Sequence, residues 1–542
     1  MRYVLQMVAL PILSLTIVAQ AQNVYVTQTA AGGNTGADCA DARALSSLTP
    51  SDWVPGNTIH LCGTITATAG TSGLVAQGSG TSGSPITVKF ETNAILESPY
   101  FGGTYGCFSV STCLGGIEVY GYNYIIIDGG ANGIIENTAN GTDLANHQTS
   151  SGVTLSGNNY IIRNLTIKSI YANDPTAGTD WGGQYTTDLG VLAGSSNVLI
   201  CNNTLDNARS GIAPDTAGGS APSYPFPSCP SNTFTSGTNI FGNTLYDHCW
   251  QIVPGGSSTP IMNIFGNTMG GYSNWVYMPN VSGYYHTDGI IAFGDAGSQV
   301  LVYFFNNTMQ VPPYGTAAFY CTYGTTGSGC AAYIFNNVFY DSATSTASTA
   351  VLLNGTAPYP LGPYYLYNNT FVNNAMMVEF GGDSQAVTIE NNLATSGSQP
   401  NANFYAKAYG SNTLMSILTA ADYNSFYGGR GYSFGGAGQY YCWPQSGGTP
   451  SRCGTAYDGP WVNTGFETHS VSANPQINSN YTLANGSSDI RAGTNLTSLC
   501  STLRPLCYDA AGNARPPTGP WDIGAYEAPS PKAPVGLTGT AK

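Results

Sequence analysis

The chain of 542 residues carries 28 acidic and 14 basic side chains, and its net charge of −14 disfavours nucleic acid and anionic membrane surfaces as partners. Charged residues are only 8% of the chain while 42% are hydrophobic, which excludes a disordered polyelectrolyte. With 69 Gly and 37 Tyr and few helix formers, the composition is one of strands and turns.

The first elements concern targeting. Arg2, an apolar run over 8–18 broken by Pro11, and the small-x-small site Ala19-Gln20-Ala21 predict a signal peptide over 1–21 and a mature chain from Gln22. No later stretch approaches the roughly 20 apolar residues of a membrane span. A secreted or cell-surface protein is therefore expected, and its 13 cysteines imply disulfides. Close spacing suggests Cys39–Cys62, Cys107–Cys113, Cys321–Cys330, Cys442–Cys453 and Cys500–Cys507. Cys201, Cys229 and Cys249 remain, so one is left over, and C-x-x-C metal spacing is absent.

Residues 40–48 predict a short helix capping the edge of the first coil. Strands follow near 59–61, 86–90, 117–120, 125–128 and 153–155. From 160 to 395 one phrase then returns: an apolar stretch, Asn-Asn or Gly-Asn, a small residue, another apolar one. It reads Ile200-Cys201-Asn202-Asn203-Thr204-Leu205, Ile264-Phe265-Gly266-Asn267-Thr268-Met269, Ile334-Phe335-Asn336-Asn337-Val338-Phe339, with further copies between. A fixed phrase at irregular intervals is a solenoid whose loops vary and whose turn does not. Asn tolerates the left-handed bend, Gly replaces it there, and stacked Asn side chains can bond from coil to coil. The expected fold is an all-β right-handed parallel β-helix over 22–527, with coils to about 420 and a closing cap over 421–527. A linker-like tail follows over 528–542.

These coils resemble the pectate-lyase-like right-handed β-helix superfamily. The stretch Gly512-Asn513-Ala514-Arg515-Pro516 followed by Asp522-Ile523-Gly524-Ala525-Tyr526-Glu527 looks like the G-x-x-R-P…D-I-G-A-Y-E ending of secreted bacterial members. The resemblance is specific for architecture; the superfold hosts lyases, hydrolases, epimerases and non-catalytic surface proteins.

Function is sought on one face. Aligning strand centres Val191, Ile212, Ile252 and Ile290 stacks Asp188, Arg209, Asp247 with His248, and His286 with Asp288 on successive coils. Asp247 and Asp288 suit glycoside hydrolysis, where their separation decides retention or inversion. Alternatively Asp188, Asp247 and Asp288 hold Ca²⁺ on an acidic sugar while Arg209 or a histidine abstracts the α proton. Third, His248, His286 and Asp288 bind a transition metal. Asp and His ending strands and capping turns explain the same pattern without chemistry. Tyr185, Trp250, Trp275 and Tyr285, with Asp188, are the candidate substrate contacts, because flat aromatic faces suit sugar rings. His286-Thr287-Asp288-Gly289 resembles the N-T-D-G strand of polygalacturonase-type hydrolases, but that family's Asp-Asp, Gly-His-Gly and Arg-x-Lys motifs are absent, and its mechanism is not carried over. His60, His147 and His469 read as structural.

The expected function is binding and cleavage of an extracellular polysaccharide by a monomer, elimination being favoured over hydrolysis by analogy with the superfamily. The competing expectation is a non-catalytic surface or adhesion scaffold.

Overall fold

The computed structural model describes residues 21–529 except 104–113, 175–185, 226–227, 258, 276–286, 295–296, 314, 323–328, 341–348, 356–361, 375, 383–385, 396–402, 408–416, 429–431, 435–438, 443–450 and 453–465. The predicted signal peptide, most of the tail and the Cys107–Cys113 and Cys442–Cys453 pairs involve residues outside those described.

The chain winds into a right-handed parallel β-helix whose coils stack three apolar columns. Ile162, Ile200, Ile240, Ile264, Phe304, Ile334, Leu366 and Ile389 pair in register. After the Asn turn, Ile167, Leu205, Leu245, Met269, Met309, Phe339 and Phe371 do the same. Ile117, Val153, Leu189, Ile212, Ile252, Ile290, Phe319, Val351 and Val378 form the third column. All three columns belong to one buried apolar core, and burying them along its length is the main drive to fold.

The repeated phrase divides into two roles. Its first residue (Asn202, Gly242, Gly266, Asn306, Asn336, Asn368, Asn391) holds φ between +50° and +65°. There only backbone freedom matters, so Gly and Asn interchange. The second is always Asn and is buried: Asn203, Asn243, Asn267, Asn307, Asn337, Asn369, Asn392 and Asn424. Each Nδ2 up to Asn392 donates to the next Oδ1 at 2.9–3.1 Å. Each also donates to a strand carbonyl of the preceding coil, as Asn307 does to Ile264 at 2.9 Å. The ladder ends on Asn424, whose Nδ2 donates to Glu467 Oε1 and Oε2 at 3.1 Å. A carboxylate thus takes the place of the next amide.

The closing segment differs from the predicted cap. The last ladder on this side lies at Ser425–Tyr427, one further parallel bridge joins Ser425 to Val471, and the chain after Val471 runs back along the outside of the solenoid. The Asn corners of earlier coils receive it: Asn391 donates to Thr494 C=O (2.9 Å), Asn368 to Asp522 C=O (3.0 Å) and Asn336 to Tyr508 C=O (2.7 Å). Its Leu496, Leu503, Leu506 and Trp521 cover the outer aromatic column of Phe241, Phe265, Phe305, Phe335 and Tyr367. An external apolar column on the coils needs such cover, which a cap at the end would not supply. The G-x-x-R-P…D-I-G-A-Y-E ending locks this strap. Buried Arg515 pairs with Glu527, bonds Asn336 Oδ1 at 2.9 Å and lies 5.3 Å from the Trp521 ring.

The predicted α-helix over 40–48 is corrected: Arg43–Ala44 is a short strand on Asn23–Thr27, followed by 3-10 turns at Leu45–Ser47 and Pro50–Asp52. Arg43 bonds Asp52 (2.7 Å) and Ser47 C=O (2.8 Å), which holds the chain in tight turns. Cys39–Cys62, Cys321–Cys330 and Cys500–Cys507 pair as expected, and Cys201 pairs with Cys229. Cys249, buried, joins none of these four bridges.

Candidate active site

The predicted strand alignment holds from Ile212 through Ile252 to Ile290 but is displaced by two at the first coil, where Leu189 pairs with Ile212. Asp188 therefore lies level with Gly211 and Gln251. Gly211 brings no side chain: a Cβ there would sit 2.6 Å from the Gln251 carbonyl and 3.3 Å from His248 Cε1. Asp188 and His248 meet across that empty position.

His248 Nε2 lies 2.7 Å from Asp188 Oδ2, and its Nδ1 lies 3.0 Å from Gln251 Oε1. All three side chains are fully buried. Gln251 Nε2 donates to Gly270 C=O at 2.9 Å, which fixes the amide so that Oε1 faces the ring. Nδ1 must then carry the hydrogen. Nε2 of a neutral imidazole is left as an acceptor, so Asp188 supplies the proton between them. Burial dominates both groups. It raises Asp188 well above the carboxylate range, with the Asp206 charge adding to the rise. It lowers His248 to about 4 against the favourable Gln251 bond and the Asp206 and Asp247 charges. The result is a neutral, one-proton pair inside the wall, closed to substrate.

The accessible chemistry lies just outside it, at the end of the strands that follow the Asn turn. Lys168, Asp206 and Tyr246 are paired across three coils. The next residues, Asn207 and Asp247, turn with φ of +63° and +55°. Asp206 and Asp247 are half-buried and Tyr246 is exposed. Burial raises Asp206 above its ordinary range; His248 opposes this, the Asp247 charge adds to it, and the Tyr246 hydroxyl and Lys168 oppose it. Asp247 Oδ1 accepts from Ser273 Oγ (3.0 Å) and the Asn274 N–H (3.3 Å), which fixes its carboxylate. Lys168 reaches Glu136 at 3.0 Å. On the adjoining strand Arg209 lies 4.6 Å over the half-buried Trp250 ring.

The remaining predicted residues divide. Asp288 lies level with Trp250, is fully buried and accepts the Ala317 N–H at 3.1 Å. Asp188 and His248 are walled in as well, so as direct substrate or catalytic contacts they are corrected: the inward turn at Gly211 buries them. Trp275 is corrected too, because it is fully buried against Tyr171 and Cys249 and offers no face to a sugar. Trp275→Ala is expected to cost about 3 kcal/mol in a urea melt, the loss typical of a large buried ring. His286, Tyr185 and Tyr285 lie outside the described residues. Among the described residues no group of three His, Cys, Asp or Glu side chains is placed to hold a metal ion. Sequence reasoning missed Gln251, Gly211, Asp206 and Tyr246. The signal for the last two was present, since both end the Thr-Leu-x phrase that precedes a turn residue.

No protein-family model matches the chain, and no curated protein is similar to it in sequence. Among solved structures it is similar to pectate lyase Pel9A, at 15% identity and a TM-score of 0.42 over 94% of this chain and 97% of that one. It is also similar to a GH136 lacto-N-biosidase from Eubacterium ramulus, at 11% identity and 0.42 over 76% of this chain and 66% of that one. A rhamnogalacturonan lyase aligns at 13% identity and 0.39 over 67% and 84% of the two chains. The chain thus spans less than two thirds of the lacto-N-biosidase. The fold rests on the ladders described above.

Proposed function

We propose that this protein is a secreted, carbohydrate-active β-helix that binds an extracellular polysaccharide and cleaves it at the corner carrying Asp206 and Asp247. One observation carries the reading: two carboxylates from adjacent coils share an accessible corner, and burial holds Asp206 toward its protonated form. Carboxyl groups held in unlike environments are what acid–base cleavage of a glycosidic bond needs. Asp206 would protonate the leaving oxygen. Asp247, oriented by Ser273 and Asn274, would act as base or nucleophile. Elimination on an acidic sugar would call for cations beside the sugar carboxylate; Lys168 is engaged by Glu136, and the net charge of −14 repels a polyanion. The charges therefore favour hydrolysis of a neutral glycan over the elimination expected by analogy. The disulfides support an extracellular setting.

A second reading has its own observation. Asp188, His248 and Asp288 are buried within the wall, as a stiff adhesion scaffold without catalysis would have them.

Digestion of neutral and acidic polysaccharides, with and without Ca²⁺, separates these readings. The expected result is new reducing ends without ultraviolet-absorbing unsaturated product, reduced about 10³-fold in Asp206→Asn, the usual scale of a lost general acid. Unsaturated product would establish elimination instead. No cleavage by the folded protein on any polymer would leave the scaffold.

A further inference from the structure

The outer face of the strands preceding the Asn turn carries a second polar feature that the cleavage corner does not use. Asn239, Asn263, Tyr303, Tyr333 and Tyr365 pair in register on five successive coils. The tyrosine rings stack on one another, with centroids 4.9 and 4.6 Å apart and planes within 19°. Rings stacked along the axis turn their edges outward. Tyr303 is only 8% exposed and Tyr333 and Tyr365 are half-buried, and the rings follow one another at the coil spacing of about 4.8 Å. Tyr303 belongs to the buried aromatic column under the C-terminal strap, and Tyr333 and Tyr365 pack against that column.

At the Asn end the row runs into a cavity of about 240 Å³. Its floor is Asn263, only 2% exposed, whose Nδ2 donates to Asn239 Oδ1 (3.0 Å) and Ser220 C=O (3.1 Å). Asn263 Oδ1 has no hydrogen-bond partner, and a buried acceptor left so invites a donor. Phe265 forms an apolar wall, Ser223 and Thr235 add hydroxyls, and none of the lining residues is ionisable. The volume is below the roughly 300–1,000 Å³ of drug-sized pockets, which suits one sugar ring. The overhanging insertion is pinned by Cys201–Cys229 and by Arg163, which donates to Pro230 C=O. The site is thus built before any ligand arrives.

We infer that this face binds a linear, uncharged glycan lengthwise, one ring seated in the cavity over Asn263 and Phe265 and the following rings laid along Tyr303, Tyr333 and Tyr365. The rise per coil is close to the length of one ring in an extended glycan, so each unit meets one hydroxyl. The inference rests on the neutral-glycan reading above and adds the direction in which the polymer lies. It also adds a holding site on a different face from Asp206.

The test is titration calorimetry of the mature chain with neutral β-1,4-linked gluco-, xylo- and manno-oligosaccharides of one to about six units. Oligogalacturonides serve as the acidic control. Affinity for one neutral series is expected to rise several-fold per unit, at about one hydrogen bond each, and to level near four units. A Tyr303→Phe, Tyr333→Phe, Tyr365→Phe triple variant keeps the stacked rings. It should melt like wild type, bind the single sugar unchanged, and lose the rise with length, weakening the tetramer about 10–100-fold. A length series unchanged in the folded triple variant would overturn the inference even if the protein cleaves glycan. Preference for the oligogalacturonides would overturn it as well. Neither binding nor cleavage of any glycan would overturn both this and the proposed function.

Discussion

Asn307→Ala should lower the unfolding free energy by about 4 kcal/mol, measured as a shift of the urea midpoint. Its Oδ1 accepts both the backbone N–H and Nδ2 of Asn267, and its Nδ2 serves Ile264 C=O and Asn337 Oδ1. Alanine strands buried groups on both neighbouring coils, and each such group costs about 1–3 kcal/mol, with partial relaxation. The residue before it supplies the contrast. Asn306 holds φ +55°, and Gly242 and Gly266 occupy the same position on other coils. Asn306→Gly should therefore cost less than about 1 kcal/mol. Equal losses at the two positions would contradict the division of the phrase into a bend and a ladder rung.

His248→Ala should cost about 3 kcal/mol, because protonated Asp188 would lose its acceptor and Gln251 Oε1 its donor, each buried group costing about 1–3 kcal/mol. Asp188→Asn is expected to be close to neutral at pH 7, since an amide Nδ2–H can donate to Nε2 as the protonated carboxyl does. The pH dependence follows from the shifts. The lowered His248 contributes stability that is full above 6.5 and is lost as pH falls toward about 4. The raised Asp188 contributes stability that is full below 3.8 and is lost as pH rises through its folded value. The His248 contribution is constant above 6.5, so a decline in stability with rising pH on the alkaline side reports Asp188. Asp188→Asn should abolish that decline, while Asp206 and Asp247, which face His248, stay in place. A large loss in Asp188→Asn at pH 7 would show an ion pair instead of a neutral one.

The fold was legible because its repeat writes backbone geometry into residue identity: the left-handed bend is taken by Asn or Gly on all but the last rung, where Tyr423 precedes Asn424, and the rung itself requires an amide. Ile212, Ile252 and Ile290 aligned correctly for the same reason. The site was less legible. Alignment by strand centres orders residues along the chain but says nothing about which face they take at a corner. Asp188 and His248 were placed together, yet Gly211 lets them turn inward. Asp206, read only as part of a repeated phrase, lies on the surface beside Asp247. The C-terminal strap was read as a cap because its apolar residues show no period, and what they cover is the outer face of distant coils.

The most direct test of the account compares initial rates of glycan cleavage by wild type and Asp206→Asn across pH. Wild-type activity should fall as pH rises through the elevated Asp206 value, and the variant should be about 10³-fold slower throughout with its fold intact. An Asp206→Asn enzyme that cleaves at the wild-type rate with the same pH profile would contradict the assignment of this corner as the active site.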